Sequence, residues 1–185
     1  VVLGCGGVGL SVIQGARIAG ASTIIALDKR NSSLANARSL GATHTWLVGP
    51  DDDALEAAVQ HVRSLTLQKG ADHAFEATGQ HRLAFAPLKF IRHGGNALQL
   101  SGAHGQIPAS MLDFWWDKRY MTPLYGGCHP ERDFPKLLRW VHEGHLDLAS
   151  MVTRRYTLKQ LDQAMQDMLD GTNIKGVIVF DEVSA

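Results

Sequence analysis

Residues 1–15 read VVLGCGGVGLSVIQG, three apolar residues followed by glycine at positions 4, 6, 7 and 9. Glycine loses more backbone freedom on folding than any other residue, so such a cluster needs a cause in what the backbone must approach. The apolar run ahead of Gly4 is only about half a normal strand, and the chain opens on Val1 with no initiator methionine. Together these lead to the expectation that the chain is a piece of a longer protein.

Gly4, Gly6 and Gly9 form G-x-G-x-x-G between a strand-like run and a helical pattern that puts Val8, Val12, Ile13 and Ala16 on one face. The next apolar run, TIIALD (23–28), closes on an acid, and Asp28 follows Gly9 by 19 positions. A spacing near ~20 is the fingerprint of a dinucleotide site. Each glycine then has a physical reason. Gly4 permits the tight turn, Gly6 admits a pyrophosphate to the backbone, and Gly9 lets the helix pack close to the strand. The N–H groups of the first helical turn, around Gly7 and Val8, would face the phosphates with the helix dipole behind them. A carboxylate at Asp28 would accept hydrogen bonds from the adenosine ribose and repel a 2′-phosphate. Lys29 and Arg30 follow at once, and an arginine there can pair with a 2′-phosphate. Removing a charge clash in a partly buried pocket outweighs adding an exposed cation, so NAD(H) is the expected cofactor and NADP(H) the alternative.

Downstream the pattern keeps alternating. Residues 31–42 read as a helix capped by Asn31 or Ser32 and ended near Gly41. A strand follows at 43–48. A helix at 51–70 has Asp51, Asp52 and Asp53 complementing its dipole. A strand and turn span 71–79, a helix 81–91 and a fifth strand 96–102. Residues 120–127 read as a sixth strand, held to an edge by Pro123, before a helix near 131–143. Thr157 and Gln160 make a capping box ahead of Leu161, Met165 and Met168 on one helical face, and 175–180 reads as a final strand. Such alternation predicts a doubly wound α/β domain, a parallel Rossmann sheet with helices on both faces. It would occupy residues 1–150, with a C-terminal helix-strand segment over 151–185.

Lys plus Arg and Asp plus Glu both number 18, so no bulk field draws nucleic acid or an anionic membrane. Charged residues are 19%, under the usual roughly 25%, which suits buried strands. Cys5 and Cys128 make no spaced ligand set, which fits a reducing cytoplasm rather than a disulfide framework. No apolar stretch has the length of a signal sequence or a membrane span. His142-Glu143-Gly144-His145 lacks the spacing of a metal-binding HExxH and reads as surface. Tyr156 and Lys159 do not match a Tyr-x-x-x-Lys catalytic pair, and no phosphate loop of nucleotide hydrolases is present. Cys5 either fills the glycine turn or offers an oxidisable thiol at a helix start.

GCGGVGLSVIQGARIAGASTIIALD (4–28), SLGAT (39–43), GADHAFEATG (70–79) and NIKGVIVF (173–180) resemble the medium-chain, zinc-type alcohol dehydrogenases over nearly the whole chain. The resemblance implies the coenzyme-binding domain plus the tail that returns to a catalytic domain, which lies mostly upstream and carries the zinc ligands. It assigns the phosphate turn to Gly4–Gly9 and the ribose acceptor to Asp28. Ala77, Thr78 and Gly79 would lie in the turn after the fourth strand, beside the adenosine-side ribose and the nicotinamide entrance. The backbone of Leu100, Ser101 and Gly102 would hold the nicotinamide carboxamide, and Pro123, Leu124 and Tyr125 would lie near the ring. Lys175 stands where an arginine often meets the pyrophosphate, and a lysine lacks the bidentate fork. Ser33 stands where many relatives have a basic adenosine contact. The 120–127 edge would pair with a second subunit, making a homodimer or a dimer-based oligomer. Phe114, Trp115, Trp116 and Tyr120 suit that surface or an ordinary core equally.

The function expected is therefore NAD-dependent oxidation of an alcohol or reduction of an aldehyde, by hydride transfer. Zinc would act in the intact enzyme and would not be bound by this chain, which carries no catalytic residue and is expected to turn nothing over alone. The alternatives are a zinc-free, NADPH-using quinone or enoyl reductase of the same superfamily, and a non-enzymatic nucleotide sensor.

Overall fold

The computed structural model describes residues 1–52 and 55–180. Strands β1 (Val2–Leu3), β2 (Ile25–Asp28), β3 (His44–Leu47), β4 (Ala71–Glu76), β5 (Ile91–Gln99) and β6 (Arg119–Met121) form one parallel sheet in the order β3-β2-β1-β4-β5-β6. The chain steps outward from β1 to β3, then returns past β1 to continue through β4, so the reversal falls between β1 and β4. Helices α1 (Gly7–Ile18) and α2 (Asn31–Ser39) touch each other, as do α3 (Glu56–Leu65) and α4 (Pro87–Phe90). Right-handed crossovers running in opposite directions from β1 put these two pairs on opposite faces. This is the doubly wound α/β architecture that the alternation predicts.

The apolar strands account for the core. Ile25, Leu27, Val62, Leu88 and Phe90 are fully buried in one cluster, and each such side chain contributes about 1.5–3 kcal/mol over remaining in water. Of the four residues predicted on the inner face of α1, only Ile13 is fully buried; the buried set is Gly9, Leu10, Ile13 and Gln14, and Val8 is 54% exposed. The glycine contact described below fixes the rotation of this helix, and apolar spacing alone does not.

Other elements differ from expectation for local reasons. Helix α2 has Arg30 at its cap position with no side-chain cap, so Asn31 and Ser32 cap nothing; the turn is held instead by the Arg30 N–H donating to Asp28 Oδ1 at 2.9 Å. Helix α3 begins at Glu56 rather than 51, because Leu55 sits in the left-handed region (φ 59°) and Asp52 reaches past it to accept the Ala57 and Ala58 N–H groups at 3.2 and 3.1 Å. Asp53, counted in that acidic start, lies outside the described residues. The helix ends at Leu65, where Leu67 and Gln68 also turn left-handed.

The helix expected over 81–91 resolves into a 3₁₀ turn, His81–Leu83, and the single turn α4. Strand β5 then starts at Ile91 instead of 96. It takes up the extra length in a bulge, since Ala71 pairs with Ile91 but His73 pairs with Asn96. Gly94, at φ +69°, and Gly95, where a Cβ would lie 2.9 Å from the Ile91 Cβ, make the bulge possible. Strand β6 is the sheet's edge but stops at Met121, and a 3₁₀ turn occupies Leu124–Gly127.

The chain separates into two compact units, Val1–Pro135 and Lys136–Ala185, a division inside α5 (Pro130–His142) and ahead of the position 150 read from the sequence. In the second unit β7 (Val152–Tyr156), which the sequence pattern does not reveal, pairs in parallel with β8 (Lys175–Ile178), and α6 (Leu161–Leu169) connects them. Strand β8 stops two residues short of the predicted 180. Asp167 is buried within this unit and accepts from Arg154, Tyr156 Oη and Gln163 at 2.6, 2.7 and 2.9 Å. These donors hold its carboxyl below the usual carboxylate range. Thr157 and Gln160 form the predicted capping box, with the Thr157 N–H donating to Gln160 Oε1 at 2.9 Å. Leu161, Met165 and Met168 all remain exposed. Among the described residues, no helix is long and apolar enough to cross a membrane.

Candidate functional site

The glycine bend sits at the reversal point of the sheet, between the ends of β2 and β4. Gly4 adopts φ +86°, and a Cβ there would lie 2.8 Å from the Ala77 carbonyl oxygen; its N–H donates to Leu27 O at 2.8 Å. A Cβ on Gly9 would lie 1.8 Å from the Gly4 carbonyl oxygen, so the first turn of α1 is pressed against the bend. Gly6, by contrast, has open space where a Cβ would stand. It caps α1, and Leu10 is the first helical residue whose N–H reaches back, to Gly6 O at 2.9 Å. By helix geometry the N–H groups of Gly7, Val8 and Gly9 have no acceptor within the helix. The positive end of α1 thus opens onto room for an anion.

A cleft of about 390 Å³ lies over this bend, within the range of small-molecule sites. It brings together Gly4, Gly6, Asp28, Arg30, Ala77 and Thr78, from three strand ends. Leu27, Val48, Leu55 and Leu83 give it an apolar wall. Asp28 is fixed from both sides: Oδ2 accepts the Cys5 N–H at 2.8 Å and Oδ1 the Arg30 N–H. The glycine bend therefore orients the carboxylate directly. Cys5 itself is buried, its thiol pushed up to about 12 by burial and then by Asp28. Of the two readings of Cys5, the structure keeps the space-filling one, since a thiolate is suppressed there.

The remaining predicted positions fall elsewhere. Gly79 (φ +73°) follows Thr78 in the loop after β4. Leu100, Ser101 and Gly102 follow β5 at the same end of the sheet. Leu124 and Tyr125 follow β6 and are strongly exposed. Lys175 is the exposed first residue of β8 in the second unit. Within the aromatic cluster, Phe114 and Tyr120 pack on Phe85, with Tyr120 Oη donating to Ala84 O at 2.9 Å, and Trp115 and Trp116 are exposed. His145 lies 3.8 Å from Glu143 at the surface. Among the described residues no three His, Cys, Asp or Glu side chains cluster as a metal site would require.

Sequence reasoning assigns Glu76 and Gln99 no role, yet both are buried polar residues at the ends of β4 and β5. The signal was present: strand alternation puts Glu76 on the same face as Ala74, the inward one, where a carboxylate is expensive without partners.

The pattern of a family described as zinc-binding dehydrogenase matches residues 7–143. An NDMA-dependent alcohol dehydrogenase of Amycolatopsis methanolica is 33% identical over 97% of this chain and 48% of its own length. An S-(hydroxymethyl)glutathione dehydrogenase of Synechocystis sp. is 31% identical over 96% of the chain and 48% of its own. Among solved structures, benzyl alcohol dehydrogenase from Acinetobacter calcoaceticus superposes with a TM-score of 0.85 at 25% identity, over 96% of this chain and 49% of that one. An alcohol dehydrogenase zinc-binding domain protein from Burkholderia ambifaria does so with a TM-score of 0.85 at 27% identity, over 96% and 47%. The chain spans about half the length of the curated relatives it matches.

Proposed function

Because this chain belongs to the zinc-binding dehydrogenase family, we propose that it is the NAD-binding half of an alcohol or aldehyde oxidoreductase. The observation that carries the reading is the bend itself: open space over Gly6, at the start of α1, in a cleft that also holds the oriented Asp28 carboxylate. Gly6 and the N–H groups of Gly7, Val8 and Gly9 would receive the diphosphate, and Asp28 would accept from the adenosine ribose. Arg30 would flank that ribose, and Ala77, Thr78 and Gly79 would lie beside it and the nicotinamide entrance. The backbone of Leu100, Ser101 and Gly102, with Leu124 and Tyr125, would receive the nicotinamide side. When bound, the nicotinamide supplies the hydride chemistry. This chain's residues supply position, which accounts for several kcal/mol of barrier in such reactions.

Zinc belongs in this reading to the other half of the protein, as does the substrate pocket, so the chain alone turns over no alcohol. Both cysteines are free thiols, which supports a reducing, cytoplasmic setting. Strand β6, which ends on exposed Met121, is an open sheet edge with exposed Leu124 and Tyr125 just beyond it, which supports pairing with a second copy. Titration of the chain with NADH and NADPH, followed by nicotinamide fluorescence, tests the assignment. NADH binds more tightly than NADPH, and Asp28→Asn narrows that preference. Tighter NADPH binding by the wild type would move the reading to the quinone or enoyl reductases, with Arg30 on the 2′-phosphate. Binding of neither would end it.

A further inference from the structure

Glu76, the last residue of β4, is fully buried. Apolar residues of similar volume usually stabilise a core at least as well as a buried charge does, so the carboxylate calls for another reason. Its partners supply one. Oε1 accepts the Thr78 N–H at 2.7 Å and also the Thr78 hydroxyl, while Oε2 accepts the Ser101 hydroxyl, 25 positions away. Thr78 is in the loop after β4 and Ser101 in the segment after β5, so one carboxylate bridges two separate strand ends. Further bonds extend the bridge on both sides. The Gln80 N–H donates to Thr78 Oγ1 at 3.0 Å, and the Leu100 N–H to the Glu76 carbonyl at 2.9 Å. Buried Gln99 donates through Nε2 to Ser101 O, with Ser101 Oγ a further 3.3 Å partner.

Topology gives the bridge its meaning. In a doubly wound sheet a dinucleotide lies across the carboxyl ends of the strands, one mononucleotide on each side of the reversal. Asp28 on β2 marks the adenosine side, so the ends of β4 and β5 face the other half. We propose that Glu76 is a positioning residue whose carboxylate ties the 77–79 loop to the 100–102 segment and so presets the backbone that receives the nicotinamide half of the coenzyme. This rests on the dinucleotide reading above.

The test compares NADH with ADP-ribose, which lacks the nicotinamide ring, by calorimetry on the wild-type chain, Glu76→Gln, Ser101→Ala and the double variant. Ser101 is only half-buried, so its variant remains informative even if Glu76→Gln fails to fold. NADH affinity falls about tenfold in each single variant, the scale of one hydrogen bond to a charged group. ADP-ribose affinity stays within about twofold in all of them. Because Ser101 acts through Glu76, the double variant loses no more than about what one change costs, the signature of coupled residues. Parallel losses of both ligands, full retention of NADH, or additive losses in the double variant overturn the role of Glu76 alone. A wild-type chain that binds neither ligand overturns the dinucleotide reading and this proposal with it.

Discussion

Adding one methyl group at Gly6 and at Gly9 should have opposite consequences, although the two positions are three residues apart in the same bend. At Gly9 the new Cβ would lie 1.8 Å from the Gly4 carbonyl oxygen. That contact is to backbone, which cannot rotate away, so α1 and the bend must part by more than about an ångström. Overpacking of this kind costs about 3 kcal/mol at the upper end of its range, and alanine recovers about 1 kcal/mol over glycine in a helix. The net loss, about 2 kcal/mol, lowers the melting temperature by about 4–8 °C for a chain of this size. At Gly6 the methyl meets open space, with φ −79° and ψ −168°, a conformation that alanine accepts. Alanine at a helix cap costs up to about 1 kcal/mol, so Gly6→Ala melts within about 4 °C of wild type. Binding reverses the ranking. The methyl at position 6 occupies the space assigned to the diphosphate and displaces it from about two charge-assisted N–H contacts, about 3 kcal/mol or a hundredfold in affinity. Thermal melts and NADH titrations of both variants decide the matter. If Gly6→Ala binds NADH as tightly as wild type does, the bend is not the diphosphate seat. If Gly9→Ala melts like wild type, the close packing of α1 on the bend is not what holds it.

Two further outcomes follow from titrating groups. Cys5 is buried with its thiol at about 12 and Cys128 is only half-buried, so a thiol reagent at pH 8 should label Cys128 in the folded chain and both cysteines after denaturation; rapid native labelling of Cys5 would contradict the packing of the bend. Asp167 titrates below the usual carboxylate range when folded. A depressed folded pKa contributes stability that is complete above the unfolded value and lost as pH falls through the folded one. Denaturant midpoints should therefore separate wild type from Asp167→Asn at neutral pH and converge as pH falls below about 4; a gap that persisted in strong acid would remove Asp167's ionisation as the cause.

The alternation of strand and helix, the G-x-G-x-x-G bend and the acid 19 positions beyond it were legible from the chain alone, because each rests on local backbone chemistry. A left-handed turn at Gly4, a helix start after it and the reach of one crossover depend on residues near one another in sequence. The tertiary structure alone decided which face of α1 turned inward, since the contact of Gly9 with Gly4 outweighs the apolar stripe that includes Val8. It also decided where β5 begins, because Gly94 and Gly95 absorb a register offset against β4 that spacing cannot reveal. Strand β7 escaped notice because its residues Thr153, Arg154 and Arg155 are polar and exposed, and pairing with β8 makes it a strand. The same holds for Glu76. Its identity was plain in the sequence, but its partner Ser101 lies just past the end of another strand, 25 positions away, and long-range burial is fixed only when the sheet assembles.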